Sequence, residues 1–265
     1  GRGYGRFCTA AAAVVALLAA TIVPASAVSR HLDPDHTNYD VHDRSGNVIP
    51  LEYGRNILAS CDENAVLFLH GDNDTYPVWY LQEVEGYRTD VQVVNLSLLN
   101  APWYIRQLRD DPDNPLPVEY TDEFIRERLT GNTLVSQRTR TWTAEPKEIT
   151  VAGLTWKMPP TYPFTMNDGS RIGVLSVAAI MTVHIIEQVN WSRPVYFAVT
   201  VSPETMIGLN RFMAMEGMVF RLTKEQAAAR YHIDADTLGR NLFDRYSYTG
   251  VADPSVYKDA ETTKL

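Results

Sequence analysis

The chain has 265 residues, 45% apolar and 21% charged, with a formal net charge of −8. That is a globular composition with ample material for a core, and its acidic balance argues against broad binding to nucleic acid or to anionic membrane surfaces. No Lys/Arg run, zinc-type cysteine spacing or phosphate-loop motif occurs, and Cys8 and Cys61 make no disulfide framework.

In chain order, Arg2 and Arg6 precede a charge-free run from Phe7 to Val28. Two readings compete. The run is just long enough to span a bilayer, with its Arg side cytoplasmic. The basic start, apolar stretch and Ala25-Ser26-Ala27 also fit a secretory signal with its cleavage site. Both put the rest of the chain outside the cytoplasm. His31 to Pro50 is polar and extended. Its His31, Asp33, Asp35, His36, Asp40, His42 and Asp43 read as a solvated loop, because no pair has the helical spacing of a metal site. Pro50 to Cys61 is expected to be helical.

Ala65 to His70 is a short apolar run closed by Gly71, which predicts a buried strand. Gly71-Asp72-Asn73-Asp74-Thr75 is a turn, with Thr75 capping a helix that carries Pro77 in its first turn. Val78, Leu81 and Val84 form the apolar stripe of that helix, and Gly86 ends it. Val91 to Leu96 is a second strand. Two apolar strands joined by one helix predict a right-handed βαβ crossover. Ligands then bind past the carboxyl ends of the strands, which places His70 to Thr75 and Ser97 to Trp103 on one rim.

Further along, Ala101 to Arg109 is a short helix, and Thr121 caps another running to Leu129. Lys147 to Met158 is a hairpin turning at Ala152-Gly153, and Pro159 to Ser170 is irregular. Ile172 to Val189 is one long apolar helix. Val195 to Val201 is a third parallel strand, Met206 to Glu216 is helical, Met218 to Leu222 is a strand, and Lys224 to Tyr246 holds two short helices.

Several residues can carry chemistry. Asp72-Asn73-Asp74 has the D-x-D form with which many sugar transferases hold a divalent metal, although turns favour Asp and Asn in any case. His70 and Glu83 are candidate acids or bases. Trp79, Tyr80, Trp103 and Tyr104 make a sugar-stacking platform if exposed, and core or interface aromatics if not. Asn100 lies on the same rim. The sequons at Asn73, Asn95 and Asn190 are of the kind that occurs by chance, and Asn95 falls in a buried strand.

The stretch GDNDTYPVWYLQEVEGYRTDVQVVNLSLLNAPWYIRQL resembles the soluble part of a bacterial membrane family, glycosyltransferase family 117, related to the transmembrane protein O-mannosyltransferases. The resemblance continues in residues 40–46, 190–198 and 216–222. It implies a final membrane helix over residues 1–30, a juxtamembrane loop over 31–50, an extracytoplasmic α/β domain over 51–222 and a C-terminal helical extension over 223–265. The expected fold is one membrane helix followed by a three-layer-like domain with a mainly parallel sheet. The resemblance further implies a lipid-linked sugar as donor, a protein or glycan as acceptor and the membrane as partner; no cofactor is expected, and the residues themselves offer Asp72 and Asp74 as candidates for a divalent metal. The family's catalytic acidic residue sits in an early loop between membrane helices, so no catalytic residue is assigned here. The candidate acceptor-binding rim is His70, Asp72, Asn73, Asp74, Trp79, Tyr80, Glu83, Asn100 and Trp103. A secreted α/β sugar-binding protein or enzyme, and a ligand-free interaction module, are the alternatives.

Overall fold

A computed structural model of the chain describes residues 16–29, 46–130 and 140–253. The chain divides into a unit spanning Pro50–Tyr248 and a second made of Gly1–Ile49 with Thr249–Leu265.

The first unit is mixed α/β. Helix α1 (Ile49–Ala59) leads into β1 (Val66–Leu69), α2 (Asp72–Glu83) and β2 (Gln92–Asn95). β1 pairs in parallel with β2 on one side and with β8 (Val195–Ala198) on the other. Every residue of these three strands is buried, as strands covered on both faces must be. Phe68 and Phe197 stack with ring centroids 4.7 Å apart. The predicted parallel trio is therefore present. Beyond β8 the sheet turns antiparallel through β10 (Val219–Leu222) and β9 (Met213–Met215). It closes with β11 (His232–Ile233) parallel to β9, so parallel pairings predominate.

α1 and α2 lie close because Gly54 separates them. A Cβ there would meet Leu81 Cδ1 at 3.0 Å and the Pro77 carbonyl carbon at 3.1 Å. Between β2 and β8 come α3 (Pro102–Arg109), α4 (Asp122–Arg128), a three-stranded sheet of β3 (Thr141–Trp142), β7 (Arg171–Val174) and β6 (Tyr162–Thr165), and the hairpin of β4 (Lys147–Val151) and β5 (Leu154–Met158). The hairpin turns at Ala152 (φ 48°) and Gly153 (φ 80°), as expected. Trp191 Nε1 ties it to the body by donating to the Ala152 carbonyl, 2.7 Å. Thr121 caps α4 by accepting from the Phe124 amide.

Five local expectations are corrected. α2 starts at Asp72, because Gly71 at φ 92° makes the turn alone. The Thr75 hydroxyl donates back to the Gly71 carbonyl, and Pro77 sits in the second turn. The apolar run from Ile172 is two elements, β7 and α5 (Val177–Val189). They break at Ser176, whose side chain accepts from the Ala179 amide, and apolarity alone does not separate a buried strand from a buried helix. Residues 206–216 form turns, a 3₁₀ segment (Leu209–Phe212) and β9, because pairing with β10 overrides local helix preference. Tyr162–Thr165 is a strand in a stretch expected to be irregular, and residues 224–246 hold one α-helix, α6 (Ala235–Arg240), followed by a π-turn (Asn241–Arg245).

The β9–β10 turn joins this last segment to the sheet. The Tyr246 hydroxyl accepts from the Met218 amide (2.8 Å) and shares a hydrogen with Ser60 (2.5 Å), while the Asn241 amide group donates to the Glu216 carbonyl. Gly217, at φ 120°, has no room for a side chain, since a Cβ would fall 2.1 Å from that hydroxyl. Arg221 bonds Asp62 at 2.9 Å and lies 3.8 Å from the Glu216 carboxyl. Glu216 is 3% exposed, and burial pushes it up to about 7 against the pull of Arg221. Cys61 is buried and unpaired, and burial pushes its thiol up.

Of the second unit, residues 16–29 are helical and residues 249–252 form a short helix, α7 (Thr249–Ala252). Leu17, Ile22 and Val23 are exposed, and Ala25-Ser26-Ala27 lies within the helix. Among the described residues no helix is long and apolar enough to cross a membrane, so the expected membrane helix finds no support there. Residues 7–15 of the charge-free run, and residues 31–45 with their His and Asp, lie outside the described residues.

Candidate acceptor-binding rim

β1 hands its chain to β2 on one side through α2, and β8 arrives on the other side through the long connection. The strand order therefore reverses between β1 and β8, the point where open α/β sheets place ligands. His70 is exposed at the end of β1, and Asp72 and Asn73 are exposed on the first turn of α2. Asp74 points inward and is 2% exposed. Its carboxylate accepts from the Tyr53 hydroxyl at 2.8 Å and from the Thr200 hydroxyl, which binds α1, α2 and the end of β8 together. Burial, and then the neighbouring carboxylate, push the Tyr53 phenol up.

The next layer is equally committed. Thr75 accepts from Asn95 Nδ2 at 2.9 Å, and Asn95 Oδ1 accepts the amides of Ser97 and Leu98 at 2.8 and 3.0 Å. The Asn95 amide donates to the Tyr104 hydroxyl at 3.0 Å. Asn95 is thus a buried turn-maker, as its place in a strand implied, and Tyr104 is core. Asn100 exposes part of its surface, but its Oδ1 accepts from the Ala178 amide at 3.1 Å, so it caps α5 beside Ser176. The two carboxylates of Asp72-Asn73-Asp74 differ in exposure, one to solvent and one to the interior. Among the described residues no three His, Cys, Asp or Glu side chains are grouped to hold a metal.

The aromatics separate into two places. Trp79 packs half-buried against the core, with Tyr76 6.1 Å away. Tyr76, Tyr80, Glu83 and Val84 form an exposed stripe along α2, at the i, i+4, i+7, i+8 spacing of one helix face. Tyr76 is missing from the sequence-based set, although the helix predicted after Thr75 already placed it one turn before Tyr80, which was the available signal.

Trp103 lies elsewhere, 52% exposed on α3, with the Tyr104 ring edge-on at 5.6 Å. It borders an open cavity of about 520 Å³, which it lines with Arg106, Gln107, Asp110, Asp111 and Asp122. None of residues 70–83 lines this cavity. Arg109 grips Asp110 with Nε and Nη2 (2.7 and 2.9 Å) and Asp122 with Nη2 (2.6 Å), and its Nη1 donates to the Tyr120 carbonyl at 2.9 Å. The guanidinium holds the Asp110 carboxyl below the usual carboxylate range. In the sequence, Arg106 and Gln107 at three and four residues past Trp103 were the available signal, but nothing marked the return of Asp122 to the same place.

A family model described as TMEM260-associated domain 2 matches residues 50–158 and 165–237, more than half of the chain. The chain belongs to this family. One stretch of 73 residues is 30% identical to the mouse protein O-mannosyl-transferase TMEM260, covering 28% of this chain and 10% of that protein. The chain therefore spans only a small part of the length of the relative it matches. No solved structure matches it.

Proposed function

We propose that the chain is the C-terminal extracytoplasmic part of a membrane glycosyltransferase of the family 117 kind, using a lipid-linked sugar, and that it serves acceptor binding and support rather than the bond-making step. The observation that carries this reading is the family membership, together with the similarity to a protein O-mannosyl-transferase. The geometry agrees with a supporting role. The buried carboxylate at the strand-order reversal, Asp74, accepts from Tyr53 and Thr200, which gives it a structural role in joining α1, α2 and the end of β8. What the rim offers to a partner is its outward set: His70, Asp72, Asn73, Tyr76, Tyr80 and Glu83. The leader is assigned to anchoring in the membrane, with the rest of the chain on the far side from the cytoplasm.

The test is steady-state transfer by the longer enzyme from a lipid-linked mannosyl donor to an acceptor protein, comparing the natural protein with Asp72→Asn and Tyr80→Ala. Loss of one charge-assisted hydrogen bond, roughly 1.5–3 kcal/mol, raises the acceptor KM by about tenfold or more and leaves the donor KM unchanged. An unchanged acceptor KM in both variants removes the rim from acceptor recognition.

A further inference from the structure

We propose that the Trp103 cavity is a carbohydrate subsite that takes a neutral pyranose ring, stacked on the indole and held through its hydroxyls. The proposal rests on the reading above only in its choice of mannose as first probe. Trp103 lines an open depression of about 520 Å³, and it stays 52% exposed although the chain has an extensive buried core. A large flat apolar ring beside a few convergent polar groups is the composition of a small-ligand site. The polar groups here are two-sided. Arg106 and Gln107 supply donors one helical turn from Trp103, while Asp110, Asp111 and Asp122 supply acceptors.

Their charge balance selects among ligands. Asp110 and Asp122 are already paired with Arg109, and Arg106 lines the same cavity. Three carboxylates thus face two guanidinium groups, so the net excess is one negative charge and most of the field that would draw a lysine or arginine side chain is offset. A paired carboxylate still has lone pairs for hydroxyl donors, and its position is fixed in advance by the Arg109 fork. A ligand rich in neutral hydroxyls with one apolar ring face satisfies this set, and a sugar ring is such a ligand.

The experiment is saturation-transfer NMR of the 265-residue chain with methyl α-mannopyranoside at millimolar concentration, repeated with methyl α-glucopyranoside, methyl β-galactopyranoside and a lysine-rich peptide. Transfer to the protons of one ring face is expected for at least one pyranoside. Trp103→Ala is expected to weaken its binding about tenfold or abolish it, and Trp103→Phe to retain most of it. Thermal unfolding of each variant confirms that the fold is kept, as the exposure of Trp103 leads one to expect. Absence of transfer from all three pyranosides overturns the proposal, as does unchanged transfer in Trp103→Ala, or Trp103-dependent binding of the peptide alone. This failure is separable from that of the acceptor reading. Loss of pyranoside binding bears on the subsite only, whereas acceptor recognition by the rim is read from the transfer kinetics of Asp72→Asn and Tyr80→Ala.

Discussion

Asp72 and Asp74 stand two positions apart in one motif and have different physical roles. Asp72 is exposed on the first turn of α2, where a negative charge suits the positive end of the helix. Asp74 is buried and answers two hydroxyls, from Tyr53 and Thr200. Removing the charge from the buried Asp74 weakens both of these charge-assisted bonds, at roughly 1.5–3 kcal/mol. Chemical denaturation is therefore expected to place the midpoint of Asp74→Asn well below that of the natural chain, and that of Asp72→Asn within error of it. Equal midpoints for all three would remove Asp74 from its role in holding α1, α2 and β8 together. The D-x-D tripeptide did not carry this distinction. The helix that follows Gly71, at its positive φ of 92°, starts three residues before Thr75 and has Asp74 on its buried side. The partners Tyr53 and Thr200 are 21 and 126 residues away, beyond any local pattern.

At the scale of elements, strands bounded by turn residues were readable. Val66–Leu69, Gln92–Asn95 and Val195–Ala198 lie within the stretches expected to be strands, and their parallel pairing is the one that the crossovers between them implied. Among the elements that departed from expectation, β9 and β6 are short strands that take their state from antiparallel pairing with the next strand in the chain, β10 and β7. The β9–β10 turn has a consequence that no sequence pattern announces. Glu216 is buried there with its carboxyl raised from an ordinary 4.5 to about 7. The folded chain thus binds a proton at Glu216 that the unfolded chain has lost between those values. This contribution is fully present below about 4.5 and is lost as the pH rises to about 7. At about 1.4 kcal/mol per pH unit the span amounts to as much as about 3 kcal/mol. Urea unfolding at pH 5 and pH 8 is expected to show Glu216→Gln gaining stability over the natural chain at pH 8 and little of that gain at pH 5. A gain that does not change with pH would mean that the carboxyl titrates normally.

For the molecule as a whole, the parallel trio of β8, β1 and β2 was legible in the apolar runs and the crossovers between them, whereas the Trp103 cavity was not. It needs Asp122, brought back by α4 and fixed by Arg109, a meeting that only the tertiary structure makes. The α2 stripe and Trp103 are exposed, and the similarity to a protein O-mannosyl-transferase covers a small part of that protein's length. The central claim is that this chain serves a glycosyl transfer whose chemistry is done elsewhere in a longer enzyme. Its most direct test is turnover of a lipid-linked mannosyl donor onto an acceptor protein, measured for the 265-residue chain and for the longer enzyme under identical conditions. The account predicts no product from the chain and sustained product from the longer enzyme. Turnover by the chain alone would contradict it.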